Sequence, residues 1–70
     1  MKLKFTNHAQ YRTGEREVSI EDIKSTISNP DFSEILNGKV KCRKSFDEKT
    51  FVVVYLKSMG NFVVLTTYYL

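Results

Sequence analysis

Three side chains near the N-terminus repeat at an interval of four residues. They are His8, Arg12 and Arg16, within the segment HAQYRTGER. Residues four apart lie on one face of an α-helix, so a helix here would carry an imidazole and two guanidinium groups in one row. A guanidinium group binds two phosphate oxygens at once, and histidine exchanges a proton near neutral pH. The spacing therefore predicts a phosphate-binding surface, which we call the cationic ridge.

This set of side chains suits RNA cleavage by the 2′-hydroxyl group. That reaction needs a base, an acid and cations that stabilise the crowded phosphorus centre. His8 would transfer the proton and the arginines would bind the phosphate, while Thr66 or Tyr68 would complete the site from the last predicted strand. The tyrosine would position a proton or stack on a base. The alternative interpretation is a solvated helix face with a histidine near its cap and tyrosines that cover the core.

A second group of cations follows a period of two. Lys39, Lys41 and Arg43 alternate with Val40 and Cys42, so on a strand the three cations share one face. A cationic row on a sheet can follow a phosphate backbone, and we predict that this row binds nucleic acid. The alternative is that these lysines only protect an exposed edge strand from pairing with other chains.

Composition restricts the class of protein. The 70 residues allow a single domain, 1–70, and a net charge of +3 with a pI near 9.1 is compatible with a polyanionic partner. One cysteine, Cys42, permits no internal disulfide, and with the one histidine it cannot form a typical structural zinc site. We expect no metal, no cofactor, no membrane span and a cytoplasmic location. Cys42 shares its predicted face with Val40 and Phe46, which favours a buried thiol over a nucleophile.

The elements that position these residues are predicted in the order helix, helix, strands. Helices are expected over roughly 7–16 and 20–28, with Thr6 or Asn7 and Ser19 as N-caps and Pro30 ending the second. Residues 2–5 form either a short strand or an extended lead-in. Four strands follow over 32–36, 39–46, 50–56 and 62–70, and Asn37-Gly38 predicts a hairpin turn. The predicted fold class is α+β, with two N-terminal helices packed on a four-stranded antiparallel meander.

Four segments together resemble a known family. They are Phe5-Thr6-x-His8-Ala9-x-x-Arg12-x-x-Glu15-Arg16, Val18-Ser19-Ile20-Glu21-Asp22-Ile23, Asn29-Pro30-Asp31 and Val64-Leu65-Thr66-Thr67-Tyr68. The chain resembles the small bacterial and phage family DUF4258, which is similar in layout to RelE-like toxins and the barnase/EndoU/colicin/RelE ribonucleases. The resemblance implies a RelE-like fold and family site residues at His8, Arg12, Arg16, Thr66 and Tyr68.

Our first functional hypothesis is a toxin-like, metal-independent endoribonuclease. Its partners would be RNA, free or on the ribosome, and a cognate antitoxin with an acidic binding segment. The alternatives are a non-catalytic module that binds nucleic acid or protein, and a structural domain whose last strand pairs with another chain. We also expect His8, Arg12, Arg16 and Tyr68 to meet on one concave patch. With Tyr68 on the sheet face opposite the helices, the predicted site would reduce to the cationic ridge alone.

Overall fold

The computed structural model describes residues 1–15 and 18–70, except for the side chains of residues 12, 13 and 15. Its elements run in the order β1 (Leu3–Phe5), α1 (Asn7–Glu15), α2 (Ile20–Ser28), β2 (Phe32–Leu36), β3 (Lys39–Phe46), β4 (Lys49–Ser58) and β5 (Asn61–Tyr69). The strands form one sheet in the order β1-β5-β4-β3-β2. Neither described helix is long and apolar enough to cross a membrane.

The predicted four-stranded antiparallel meander with a RelE-like layout is wrong. The sheet has five strands and is mixed, because β1 pairs with β5 in parallel while the other neighbouring strands pair antiparallel. The physical reason is that β4 covers only one edge of β5, so the backbone groups on the other edge of β5 are available to pair with another strand. Leu3 and Phe5 pair with β5 there and pack against the core. The segment that the sequence left as either a strand or a lead-in is therefore a strand.

Of the two candidates for the first helix cap, Thr6 is the cap and Asn7 is the first helical residue, and the predicted cap at Ser19 is confirmed. The Thr6 side chain accepts a hydrogen bond from the Ala9 amide at 3.1 Å, and the Ser19 side chain accepts from the amides of Glu21 and Asp22 at 3.1 and 3.4 Å. These bonds satisfy amides that the first turn of a helix leaves without partners. Each helix therefore begins where the sequence supplies a hydroxyl group.

The core lies between one face of the sheet and the helices. Ile23 and Ile27 of α2 and Ala9 of α1 are buried there. The cluster is completed by Val18, before α2, and by apolar side chains from the sheet, namely Cys42, Phe51, Val53 and Val64. The sheet face that carries these residues is called the helix face below, and the opposite one is called the helix-free face.

A β-bulge interrupts the pairing of β4 with β5. Val54 pairs with Thr66, but the next residue, Tyr55, pairs with Val64, so Leu65 is an extra residue in β5. Because side chains alternate with a period of two, one extra residue reverses which positions face the core. In β5, even-numbered residues such as Val64 face the helices before the bulge, and odd-numbered residues such as Thr67 do so after it.

The bulge places Tyr68 on the helix-free face. Tyr68 pairs with Val52, which is fully buried yet lies outside the helix-side cluster. Thr67, in contrast, pairs with the core residue Val53. The expected meeting of Tyr68 with His8 and the arginines on one patch is therefore wrong, because the extra residue turns Tyr68 to the face opposite the helices. The predicted composite site reduces to the cationic ridge.

Tight turns join the last four strands. Asn37 and Gly38 adopt φ values of 52° and 78°, and Met59 and Gly60 adopt 50° and 80°. Two successive residues with positive φ form the turn whose twist matches an antiparallel hairpin, and glycine accepts that conformation without strain. The predicted turn at Asn37-Gly38 is confirmed.

Candidate functional site

Thr6 attaches the start of α1 to the bulge of β5. Its backbone amide donates to the Val64 carbonyl at 3.1 Å, and its hydroxyl donates to the Leu65 carbonyl at 3.3 Å. The same hydroxyl accepts from the Ala9 amide. A single side chain therefore caps the helix and bonds to the irregular part of the strand, which fixes the first turn of α1 beside the sheet edge.

This attachment brings His8 next to Thr66. The Nε2 atom of His8 lies 3.4 Å from the Oγ1 atom of Thr66, although 58 positions separate the two residues. His8 is two residues beyond Thr6, and Thr66 directly follows Leu65, so the bonds of Thr6 position both. His8 is exposed and Thr66 is half-buried. An incoming hydroxyl or phosphate group can therefore reach the imidazole from solvent.

The side chains of the other two residues of the cationic ridge are not among those described. The backbone of Arg12 belongs to α1, one turn after His8, but its side chain is not described, and neither is Arg16. The predicted alignment of His8 with both arginines remains a prediction.

Two rows of residues in register cross the helix-free face, and one of them ends at Thr66, the residue that His8 contacts. Residues directly opposite on neighbouring strands share a face, so each row can be followed from β2 to β5. The first row consists of Phe32, Arg43, Val52 and Tyr68, and the second of Glu34, Lys41, Val54 and Thr66. The site residues Thr66 and Tyr68 thus share this face with the cations of β3.

The predicted cationic row lies on this face as well. Lys39 pairs with Leu36 at the start of β3, and its alternate neighbours Lys41 and Arg43 belong to the two rows. Cys42, between those two cations, is buried on the helix face. The predicted alternation of β3 is therefore confirmed, while nucleic-acid binding by these cations remains a prediction.

A cleft at the β2 end of the rows contains residues that the sequence reasoning missed. It is lined by Phe32, Glu34, Lys41 and Arg43. The Arg43 guanidinium lies over the Phe32 ring, 4.7 Å from its centroid. A signal for this pairing was present in the sequence, because a two-residue turn at 37–38 places residue 36 opposite 39 and residue 32 opposite 43.

The segment before β2 holds Phe32 in place. The Asp31 amide donates to the Arg43 carbonyl at 2.9 Å, and the Asp31 carboxylate accepts from the Ser45 amide at 2.9 Å. The Lys44 ammonium donates to the Asn29 carbonyl at 2.8 Å. These bonds fasten the first residue of the edge strand to β3, so Phe32 is held beside Arg43.

Cys42 is the buried thiol that the sequence predicts. Its Sγ atom donates to the Val53 carbonyl at 3.5 Å, and burial raises its pKa to about 11. A thiol with so high a pKa forms little of the nucleophilic thiolate at neutral pH. Among the described residues, no group of three histidine, cysteine or acidic side chains is placed to hold a metal ion.

The sequence profile of the family described as "Domain of unknown function (DUF4258)" matches residues 5–69. The chain belongs to this family. The DUF4258 match runs from the end of β1 to the end of β5, so it contains both His8 and the helix-free face. No curated protein matches the chain, and no solved structure does. The expected similarity to RelE-like toxins therefore has no support from these comparisons.

Proposed function

We propose that this domain is a metal-independent endoribonuclease that cleaves RNA by attack of a 2′-hydroxyl group on the adjacent phosphate. The observation that carries the proposal is the position of His8 at the sheet edge, in contact with Thr66, whose row across the sheet also contains Lys41 of β3. Histidine is the side chain best suited to proton transfer at neutral pH. Here it is exposed and held by a hydroxyl group rather than buried in the core.

The reaction forms a bond between the 2′-oxygen and phosphorus and breaks the bond from phosphorus to the 5′-oxygen. The 2′-hydroxyl loses its proton, and the departing 5′-oxygen gains one, which leaves a 2′,3′-cyclic phosphate. His8 makes one of these transfers, as base or as acid, and solvent water makes the other. The Thr66 hydroxyl orients the imidazole through the 3.4 Å contact, which is a positioning role.

Cations bind the phosphates on either side of the cleavage point. Lys41 and Arg43 supply positive charge on the helix-free face, where Lys41 shares a row with Thr66. Arg12 and Arg16 would add the phosphate contacts that stabilise the transition state. Tyr68, in the neighbouring row, would stack on a base. In the cell this activity would be that of a cytoplasmic toxin restrained by an acidic antitoxin.

The test is cleavage of a mixed RNA pool in EDTA. We expect wild-type cleavage to persist and His8→Ala to lose it by about 100- to 10,000-fold, the usual contribution of a positioned acid or base. Arg12→Ala should also lose activity. Lys24→Ala, at an exposed position of α2, is the matched control and should cleave like wild type. Circular dichroism verifies that each variant is folded.

Two results would contradict the proposal. Loss of all cleavage in EDTA would show that a metal ion is needed, and full activity in His8→Ala would place the chemistry elsewhere. A second readout is the product end, which should be a 2′,3′-cyclic phosphate detected by mass spectrometry. A 5′-phosphate product would require a water nucleophile and a different mechanism.

A non-catalytic nucleic-acid-binding module is the second candidate. The observation that favours it is the placement of Lys41, Arg43, Phe32 and Tyr68 on one face, which needs no contribution from His8. It predicts binding that weakens with salt, no cleavage under any condition, and no effect of His8→Ala on affinity. The cleavage assay above separates the two candidates.

A further inference from the structure

The cleft at the β2 end of the helix-free face has features of a site for a base rather than a phosphate. Glu34 lines it together with Lys41 and Arg43. A carboxylate repels phosphate, but it accepts hydrogen bonds from the N–H groups of a base. The cations next to it are placed to bind the phosphates on either side.

Phe32 and the guanidinium that lies over its ring together form the stacking surface in this cleft. About half of the Phe32 side chain is exposed, at 49%, and the Arg43 guanidinium lies over the ring at 4.7 Å. Bases stack on aromatic rings and on guanidinium planes alike. The hydrogen bonds of Asp31 to β3 hold Phe32 in register, so the surface is formed before a ligand arrives.

Tyr68 lies at the other end of the same row, on β5. Three strand spacings of about 4.8 Å separate it from Phe32, or about 14 Å in all. Val52 and Arg43 lie between them, and Val52 is fully buried, so the neighbouring side chains cover it. The row therefore has an aromatic ring at each end and a cation between them.

From this arrangement we infer that the helix-free face binds single-stranded RNA, with one unpaired base stacked on Phe32 and Arg43. The inference rests on the proposed function and specifies its substrate class. In a duplex the faces of the bases are stacked on one another, so neither aromatic ring could stack on them. Bases in a single strand are free to do so.

The test measures binding of a short fluorescein-labelled 2′-O-methyl RNA, which cannot be cleaved because its 2′-oxygen is blocked. Fluorescence anisotropy compares the single strand with the same strand in a duplex. We expect wild type to prefer the single strand. Phe32→Ala should weaken single-strand binding by about 5- to 150-fold, the range seen when one stacked base loses its aromatic partner.

Matched variants show whether stacking is the cause. Phe32→Tyr keeps the ring and should bind like wild type. Ile35→Ala removes an exposed apolar side chain from the same strand, on the other face, and should also bind like wild type. Arg43→Lys keeps the charge but loses the planar group, and should weaken single-strand binding while leaving the salt dependence unchanged.

The outcomes separate this inference from the proposed function. Equal binding of single strand and duplex, or equal effects of Phe32→Ala and Ile35→Ala, would overturn the inference even if wild type cleaves RNA. Dependence of binding on Phe32 in a protein that never cleaves would support the inference and overturn the nuclease. If Phe32→Ala fails to fold, Arg43→Lys decides, and unchanged binding in that variant would overturn the inference.

Discussion

The hydroxyl group of Thr6 makes two contacts that a single substitution removes. Thr6→Val keeps the shape of the side chain but has no oxygen to accept from the Ala9 amide or to donate to the Leu65 carbonyl. The change therefore creates no cavity. It leaves the first turn of α1 without its cap and the bulge without its side-chain donor.

The cost of Thr6→Val follows from these two bonds. Loss of an N-cap typically costs about 1 kcal/mol of protein stability, and a lost hydrogen bond of the second kind costs about 1 kcal/mol more. A loss of about 2 kcal/mol is large for a domain of this size, which should have roughly 4–10 kcal/mol in total. The corresponding fall in Tm is about 8–16 °C.

Urea unfolding followed by circular dichroism measures the loss directly. Thr6→Ser is the matched control, since serine keeps the hydroxyl group and caps helices well, and we expect it to lose less than about 1 kcal/mol. A Val variant no less stable than the Ser variant would contradict the role given to the hydroxyl group. It would mean that packing, and not the hydroxyl group, holds α1 against β5.

Three other substitutions examine separate parts of the fold. Gly14→Ala should stabilise the domain by about 0.5 kcal/mol in urea titration, because Gly14 lies within α1 and an added Cβ meets no described atom beyond its own helix backbone within 4 Å. Destabilisation would contradict this. Asp31→Ala should cost about 1 kcal/mol of stability, since the Ser45 amide of β3 loses its acceptor. Because that bond attaches the start of β2 to β3, hydrogen exchange in β2 should become faster, and unchanged exchange would contradict this role of Asp31. The raised pKa of Cys42 means that the folded state binds this proton more tightly, so its contribution to stability is full below pH 9.0 and is lost as the pH rises toward about 11. Cys42→Ala should lack that alkaline loss in denaturation curves, and an identical pH dependence would refute the assignment.

The sequence predicted the parts of the fold that depend on local chemistry. The hydroxyl caps at Thr6 and Ser19, the turn at Asn37-Gly38 and the alternation of β3 are each determined by a few neighbouring residues. The parallel pairing of β1 with β5 was not predictable in this way. It depends on a free strand edge that exists only once the sheet has formed.

The candidate site was predictable to a similar degree. The contact between His8 and Thr66 joins two residues named from the sequence, but their proximity depends on how Thr6 bonds to β5. The side of the sheet that carries Tyr68 was mispredicted because no residue type marks Leu65 as the bulge. Phe32 has neither a charge nor a hydroxyl group, so its residue type does not mark it as a site residue, and only the register of β2 with β3 places it beside Arg43.

The contact between α1 and β5 joins two ends of the domain, and this has a consequence for how the protein is made. Because His8 and Thr66 are 58 positions apart, they cannot meet until the ribosome has released the last strand. Contacts between such distant segments also form late in folding, after the loops between them have closed. A nascent chain therefore carries the imidazole without its threonine partner throughout most of translation, and the site is assembled only after synthesis of the domain is nearly complete.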